Sequence, residues 1–246
     1  MRTVNVYVRE QKLEFLRLMR SPMYAALTLF FPTLLYTLFG LMVRPPVPPV
    51  LVLVAWSCYG VMGASLFGFG VSVAVERGMG WMELKQASPM PPAAYFAAKL
   101  GACLLFSAII VLMLGVLGLT AGGVRIAPLR LLQLDVVMVL GALPFCAMGL
   151  MVGYVASPTS APALANLLYL PMAFASGLLV PVEALPAALR PIAPLLPPYH
   201  LSRLAHGAAG MAWDGRWGVH VGALAAFTVL CLVIAAYAHR RGSAHV

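Results

Sequence analysis

Glu76 and Arg77 stand side by side, Glu83 follows seven residues after Glu76, and Lys85 comes two residues later. On a helix, Glu76 and Glu83 share a face. Two carboxylates do acid–base work when their environments push their pKa values apart. The residues around these two include Gly78, Met79, Gly80, Trp81, Met82 and Leu84, the composition of a docking surface rather than of a proton-transfer site. His200 and His206 are six apart, so a helix does not align them as metal ligands, and interfacial histidines are expected. Cys58, Cys103, Cys146 and Cys231 lie in apolar runs without a C-x-x-C pair and read as small buried hydrophobes. The chain has no G-x-x-x-x-G-K-S/T phosphate loop, no H-E-x-x-H and no G-x-S-x-G elbow, so nucleotide hydrolysis and the common covalent chemistries find no machinery here. No catalytic residue, metal site or chain-bound cofactor is expected.

The elements that hold these residues are mostly compatible with hydrocarbon. The chain is 62% hydrophobic and 9% charged, against about 25% charged residues in soluble domains. An integral membrane class follows. The net charge of +9 is explained by bases flanking membrane spans, and no nucleic-acid partner is expected.

Residues 1–20 are mixed in charge. Val4, Val8, Phe15, Leu18 and Met19 fall on one side of a helix, and Glu10, Glu14 and Arg17 on another. This pattern predicts an amphipathic interfacial helix, its apolar side in lipid or against the bundle. Six spans of about membrane length are expected at 21–43, 50–75, 95–121, 132–156, 161–180 and 217–238. Pro32 predicts a kink in the first. Gly60, Gly63, Gly68 and Gly70 give the second a smooth packing side. Lys99, in the first turn of the third, is expected to reach back to the interface. The sequence Ser157-Pro158-Thr159-Ser160 marks the turn between the fourth and fifth. Residues 181–215, broken by Pro181, Pro186, Pro191, Pro194, Pro197 and Pro198, read as two short helices dipping into the membrane surface. The fold class is therefore all-α integral membrane, in one transmembrane domain over 1–246.

With an even number of spans both termini share a side. The segments on that side hold ten of the 16 Lys and Arg residues and the opposite segments hold six. The bias puts both termini, and the polar segment 77–92, in the cytoplasm. None of the spans carries a charge at mid-depth, so ion coupling of the usual kind lacks its residues. Energy for any transport must come from an attached motor.

Several features together resemble the permeases of ABC-2-type transporters. Glu76-Arg77-x-x-Gly80-x-x-Glu83 followed by Pro89 is similar to the loop after their second span. The run from Ala165-Asn166 through Phe174-Ala175-Ser176-Gly177-Leu178-Leu179-Val180-Pro181, then Leu185-Pro186 and Pro194-Leu195-Leu196-Pro197, resembles their fifth span and outer re-entrant segment. The span count and the N-terminal helix match as well. Gly78 and Trp81 depart from the family pattern, which often has an acid and a Thr there. The resemblance implies a non-catalytic permease subunit of an ABC exporter in the bacterial inner membrane. It implies two separate ATPase subunits carrying the ATP and Mg, and a second permease, identical or similar. Met79 to Ser88 resembles the coupling helix that sits in a groove of the ATPase. The coupling residues are then Glu76, Arg77, Gly78, Met79, Gly80, Trp81, Met82, Glu83, Leu84 and Lys85, with Glu76-Arg77 pairing to the N-terminal helix. Phe67, Phe69, Asn166, Tyr169 and Phe174 are the candidates for lining the pathway. So little charge favours a lipid-like or drug-like substrate. The alternatives are a stand-alone channel or scaffold, or an exporter of polysaccharide or ions.

Overall fold

A computed structural model of the chain describes residues 2–21, 26–81 and 91–243. Among these residues every regular element is helical. α1 is Arg2–Arg20. α2 is a short α turn, Phe31–Leu35, continued on both sides by the wide π turns Ala26–Phe30 and Tyr36–Met42. α3 runs over Pro49–Gly78 with a π segment at Leu66–Val71. α4 is Pro92–Thr120, α5 Pro128–Leu140, α6 Leu143–Val155 and α7 Ala161–Ala175. α8 is Pro197–Ala208 and α9 Trp217–Ser243.

The local signals are consistent. α3, α4, α5, α7 and α8 each carry proline in the first turn, where the missing N–H has no helical partner and the fixed φ suits a helix. Gly80 follows α3 with φ 73° and Gly177 follows α7 with φ 77°, a left-handed turn that an L side chain resists.

Among the described residues, four stretches are long and apolar enough to cross a membrane: Pro49–Gly78, Ala93–Thr120, Pro128–Val155 and Trp217–Arg240. The chain is thus a multi-pass membrane protein. The expected first and fifth spans correspond to the shorter apolar helices Thr28–Met42 and Ala161–Ala175. The fifth stops at Ala175, because Ser176 and Gly177 turn the chain before the predicted end at 180. The fourth bends at Gly141–Ala142, with Pro144 in the first turn of α6. The 181–215 segment departs from expectation. It holds one α-helix, α8, and two single 3-10 turns, Val182–Ala184 and Ala193–Leu195, rather than two short helices. The repeated prolines remove the N–H groups that a second helix needs.

α3 lies at the centre. It packs against α4 along its length, and its π segment packs against α6 and α7. α6 in turn packs along α9, and α8 packs on α5 and α9. The buried core joins Leu53, Met62 and Leu66 of α3 with Phe106, Ile110 and Leu114 of α4. Hydrocarbon outside is as apolar as the core, so close packing rather than burial holds such helices together. Gly60, Gly63 and Gly70 provide that packing as expected: a Cβ on Gly60 would meet Ile110 at 2.7 Å, and one on Gly63 the Tyr169 hydroxyl at 2.9 Å. Gly70 comes closest to the backbone of another helix: a Cβ there would lie 2.6 Å from the Gly149 carbonyl oxygen and 2.9 Å from its Cα. Here two backbones touch with no side chain between them. All four cysteines are buried and free.

The candidate coupling site

Two elements meet where α3 ends. α3 delivers Ser72, Glu76 and Arg77 in its last two turns, and α4 presents Tyr95 and Lys99 in its first two. α1 packs across α4 and adds Glu14 and Arg17. Lys99 is 1% exposed. Its ammonium donates to Glu14 Oε1 at 2.9 Å, Glu76 Oε1 at 2.9 Å and Ser72 Oγ at 3.1 Å. The expectation that Lys99 reaches back to the interface is overturned. An ammonium has three protons, and all three have acceptors inside the bundle. Tyr95 donates its hydroxyl to Glu76 Oε2 at 2.6 Å. Arg17 bridges Glu14 Oε1 at 2.8 Å and also pairs with Glu76 Oε1. Burial works against the Arg17 guanidinium's charge, but Glu14 and Glu76 outweigh it and raise its pKa. Two carboxylates and two cations therefore form a neutral, mostly buried cluster.

The cluster reverses one feature of the sequence reading. Glu14 and Arg17 sit on the face of α1 that had read as polar, yet Glu14 is buried, while Val8, Leu13 and Met19 are exposed. α1 is seated on the bundle through Glu14, Leu18 and Phe15, whose ring lies 5.7 Å from Phe106. The carboxylates brought together are Glu14 and Glu76, not the sequence pair Glu76 and Glu83.

Arg77 turns the other way. It donates to the backbone oxygens of Tyr154 and Ala156, the latter at 2.9 Å. Those carbonyls belong to the last turn of α6, whose oxygens have no helical partner, so Arg77 caps α6. Glu76 thus meets the N-terminal helix as expected, and Arg77 does not. Gly78 is helical and leaves room for Pro158: a Cβ there would fall 2.1 Å from Pro158 Cγ. The left-handed turn that follows α3 is made at Gly80. Met79 and Trp81 are 61% and 49% exposed. Met82, Glu83, Leu84 and Lys85 lie outside the described residues.

The pathway candidates are not brought to one surface. Tyr169 is buried, donates to the Tyr59 carbonyl at 2.8 Å and meets the Phe67 ring at 5.7 Å. Phe69 is buried in a separate cluster with Val73, Cys103 and Cys146. Asn166 and Phe174 face outward from α7, beside exposed Leu167 and Leu170. A groove of about 400 Å³ opens elsewhere, between α5, α8 and α9, bordered by Arg130, Gln133, Val136 and Trp217. Asp135, on α5, escaped the sequence reading as a membrane-embedded acid. One of its carboxylate oxygens is buried without a partner among the described residues.

Sequence reasoning missed Lys99 and Glu14 as members of the cluster, because they lie 85 residues apart and no local pattern joins them. It also missed the pairing of His200 with His220, whose Nδ1 atoms are 2.8 Å apart. The available signal was a Lys in an otherwise apolar helix start, since a buried lysine needs a carboxylate.

The comparisons with known proteins agree with this architecture. The ABC-2 type transporter family matches residues 11–208, from within α1 to the end of α8. A Bacillus subtilis (strain 168) protein named "Putative transport permease YvfS" is 24% identical over 248 residues, covering 98% of this chain and 100% of that one. A helical membrane body, an N-terminal helix seated on it and a match over most of its length place this chain in the ABC-2 type transporter family, as a transporter membrane subunit.

Proposed function

We propose that this chain is the permease of an ATP-driven exporter, that segment 77–92 is where its ATPase pushes, and that its substrate is hydrophobic or amphipathic. The observation that carries the reading is the exposed Met79–Trp81 step joined directly to a buried ion cluster. Aromatic and Met side chains are favoured anchors at protein interfaces. A push at Trp81 passes through Gly80 into α3. There Glu76 ties the force to α1 and α4, and Arg77 ties it to α6. Two permeases, identical or similar, form the pathway, and two ATPases supply ATP and Mg from the cytoplasmic side, where both termini also lie. α3 and α7 then reorient at the interface between permeases, with the outward Leu167, Leu170 and Phe174 of α7 available for that contact. The scarcity of charge in the spans supports a lipid-like or drug-like molecule over a sugar chain or an ion.

Trp81→Ala, at an exposed site, leaves the permease folded and weakens its co-purification with the ATPase. Unchanged co-purification would make Trp81 a lipid anchor. ATPase stimulation by a hydrophilic glycan and none by lipids or hydrophobic drugs would replace the substrate proposal with polysaccharide export. A chain that purifies alone and captures no ATPase would be a channel or scaffold.

A further inference from the structure

At the end of the bundle away from the ion cluster, a line of hydrogen bonds crosses from the last helix to the Pro-rich segment. The Asp214 carboxylate lies 3.0 Å and 3.2 Å from His220 Nε2. His220 Nδ1 lies 2.8 Å from His200 Nδ1, and His200 Nε2 lies 2.8 Å from the Pro194 carbonyl oxygen. His220 is 2% exposed and His200 9%. Both ends of the line are acceptors, an ionised carboxylate and a carbonyl, neither of which has a proton to give. His220 Nε2 and His200 Nε2 must therefore both carry hydrogen. The Nδ1–Nδ1 contact needs one hydrogen more. The three contacts require three protons on two imidazoles, whereas two neutral rings bring only two.

We propose that His200 and His220 form a binding site for a single proton, which they share between their Nδ1 atoms and which Asp214 balances, and that this proton fastens the start of α9 to α8 and Pro194. With one proton fewer, the two Nδ1 atoms are both acceptors and the contact is lost. With one more, they are both donors and repel. Burial pushes His200 below the ordinary imidazole range, against which the hydrogen bond to Pro194 and the Asp214 carboxylate hold the proton.

Among the described residues, no carboxylate other than Asp214 contacts the pair. Tyr199 packs its ring against both histidines at 5.4 Å and 6.2 Å, and the Trp213 ring lies 6.3 Å from His220. Arg203 of α8 lies over Tyr199 at 5.1 Å, and the Arg216 amide donates to Asp214 at 3.2 Å. His206 is further along α8, Arg130 and Asp135 are carried by α5, and α3, which also packs on α8, offers only Cys58 and Tyr59 before its π segment. The line is built from Pro194, α8, the 211–216 loop and α9, which belong to the segment 181–215 and its junction with the last span.

The test is nitrogen NMR of the full chain, labelled with 15N-histidine, in lipid bilayers between about pH 5 and about pH 9. Near neutrality, one ring protonated on both nitrogens and a through-hydrogen-bond coupling between two Nδ1 atoms are expected, the coupling vanishing in His200→Gln. Asp214→Asn leaves the fold intact and lowers the proton affinity of the pair by about tenfold or more. Two neutral rings near neutrality, or no Nδ1–Nδ1 coupling in the wild-type chain, overturns the proposal. So does an unchanged titration in Asp214→Asn.

Discussion

Replacing Lys99 with Met keeps the apolar stem and removes the ammonium. The cluster then holds two buried carboxylates, Glu14 and Glu76, 7% and 5% exposed, and one guanidinium, Arg17, whose side chain is 43% exposed. Net charge in the cluster goes from zero to minus one, in a place where water cannot reach one side. Removing one partner of a buried ion pair costs about 3–5 kcal/mol, because the survivor is left uncompensated. Arg17 still covers one carboxylate, so the single-pair figure applies rather than twice that. The double variant Lys99→Met with Glu14→Gln returns the cluster to neutrality and recovers most of the loss, to within about 1–2 kcal/mol of wild type. Unfolding of the purified chain in mixed micelles, followed by tryptophan fluorescence, measures both. A loss under about 1 kcal/mol for Lys99→Met would show the cluster to be solvated. A double variant whose loss equals the sum of the two singles, within about 0.5 kcal/mol, would show that Lys99 and Glu14 are not coupled. Either result refutes the description of Lys99 as a buried structural cation.

Gly70→Ala drives a methyl group into the Gly149 backbone and is expected to destabilise the fold by about 1–3 kcal/mol, read as a lower unfolding midpoint. Gly218→Ala, with nothing within 4 Å, serves as its neutral control. Arg77→Met removes two hydrogen bonds from a guanidinium to the end of α6, with an expected loss of about 1.5–3 kcal/mol; proteolysis near Ser157–Ser160 should accelerate in parallel. His206 is pushed down to about 4 by burial first and by Arg203 second. A histidine whose folded pKa lies below its unfolded value contributes stability that is present above the unfolded value and is lost as pH falls from about 6.5 toward about 4. Unfolding midpoints measured across that range should fall in the wild-type chain and fall less in His206→Gln.

Much of the fold was legible because a membrane protein writes its constraints locally. A helix must be apolar for about twenty residues and must begin and end with residues that tolerate the ends. Pro49, Pro92, Pro128 and Pro197 stand at helix starts and Gly80 and Gly177 at stops, although Pro197 had read as a break and Gly177 as part of the fifth span. The site was legible only in part. Glu76 could be seen to need a partner on the N-terminal helix, yet Arg77 next to it could not be assigned, since its acceptors are backbone oxygens 77 and 79 residues away and carry no side-chain signature. Lys99 looked like an interfacial lysine because periodicity reports which face is apolar, not which face is covered. The amphipathic pattern of α1 misled for the same reason, as its buried partner is a charge. The scattering of the pathway candidates reflects a further limit: aromatic type says nothing about which side of a helix a neighbour occupies.

The contact of Gly70 with Gly149 carries a mechanical meaning. Helices separated by long side chains can roll and slide, because rotamers yield before backbones do. Where main chain rests on main chain, no such cushion exists. α3 and α6 must then travel as one stiff body, and α9, packed along α6, travels with them. α2 and α7, short and flanked by π turns or by an internal Pro171, are the compliant parts. Under the coupling proposed above, a tug at Trp81 would enter the stiff body through Arg77 and Glu76 and leave it only where compliance begins. Displacement should then collect along α2 and along α7 beyond its first turn, where Ala161 packs beside Ala74 of α3.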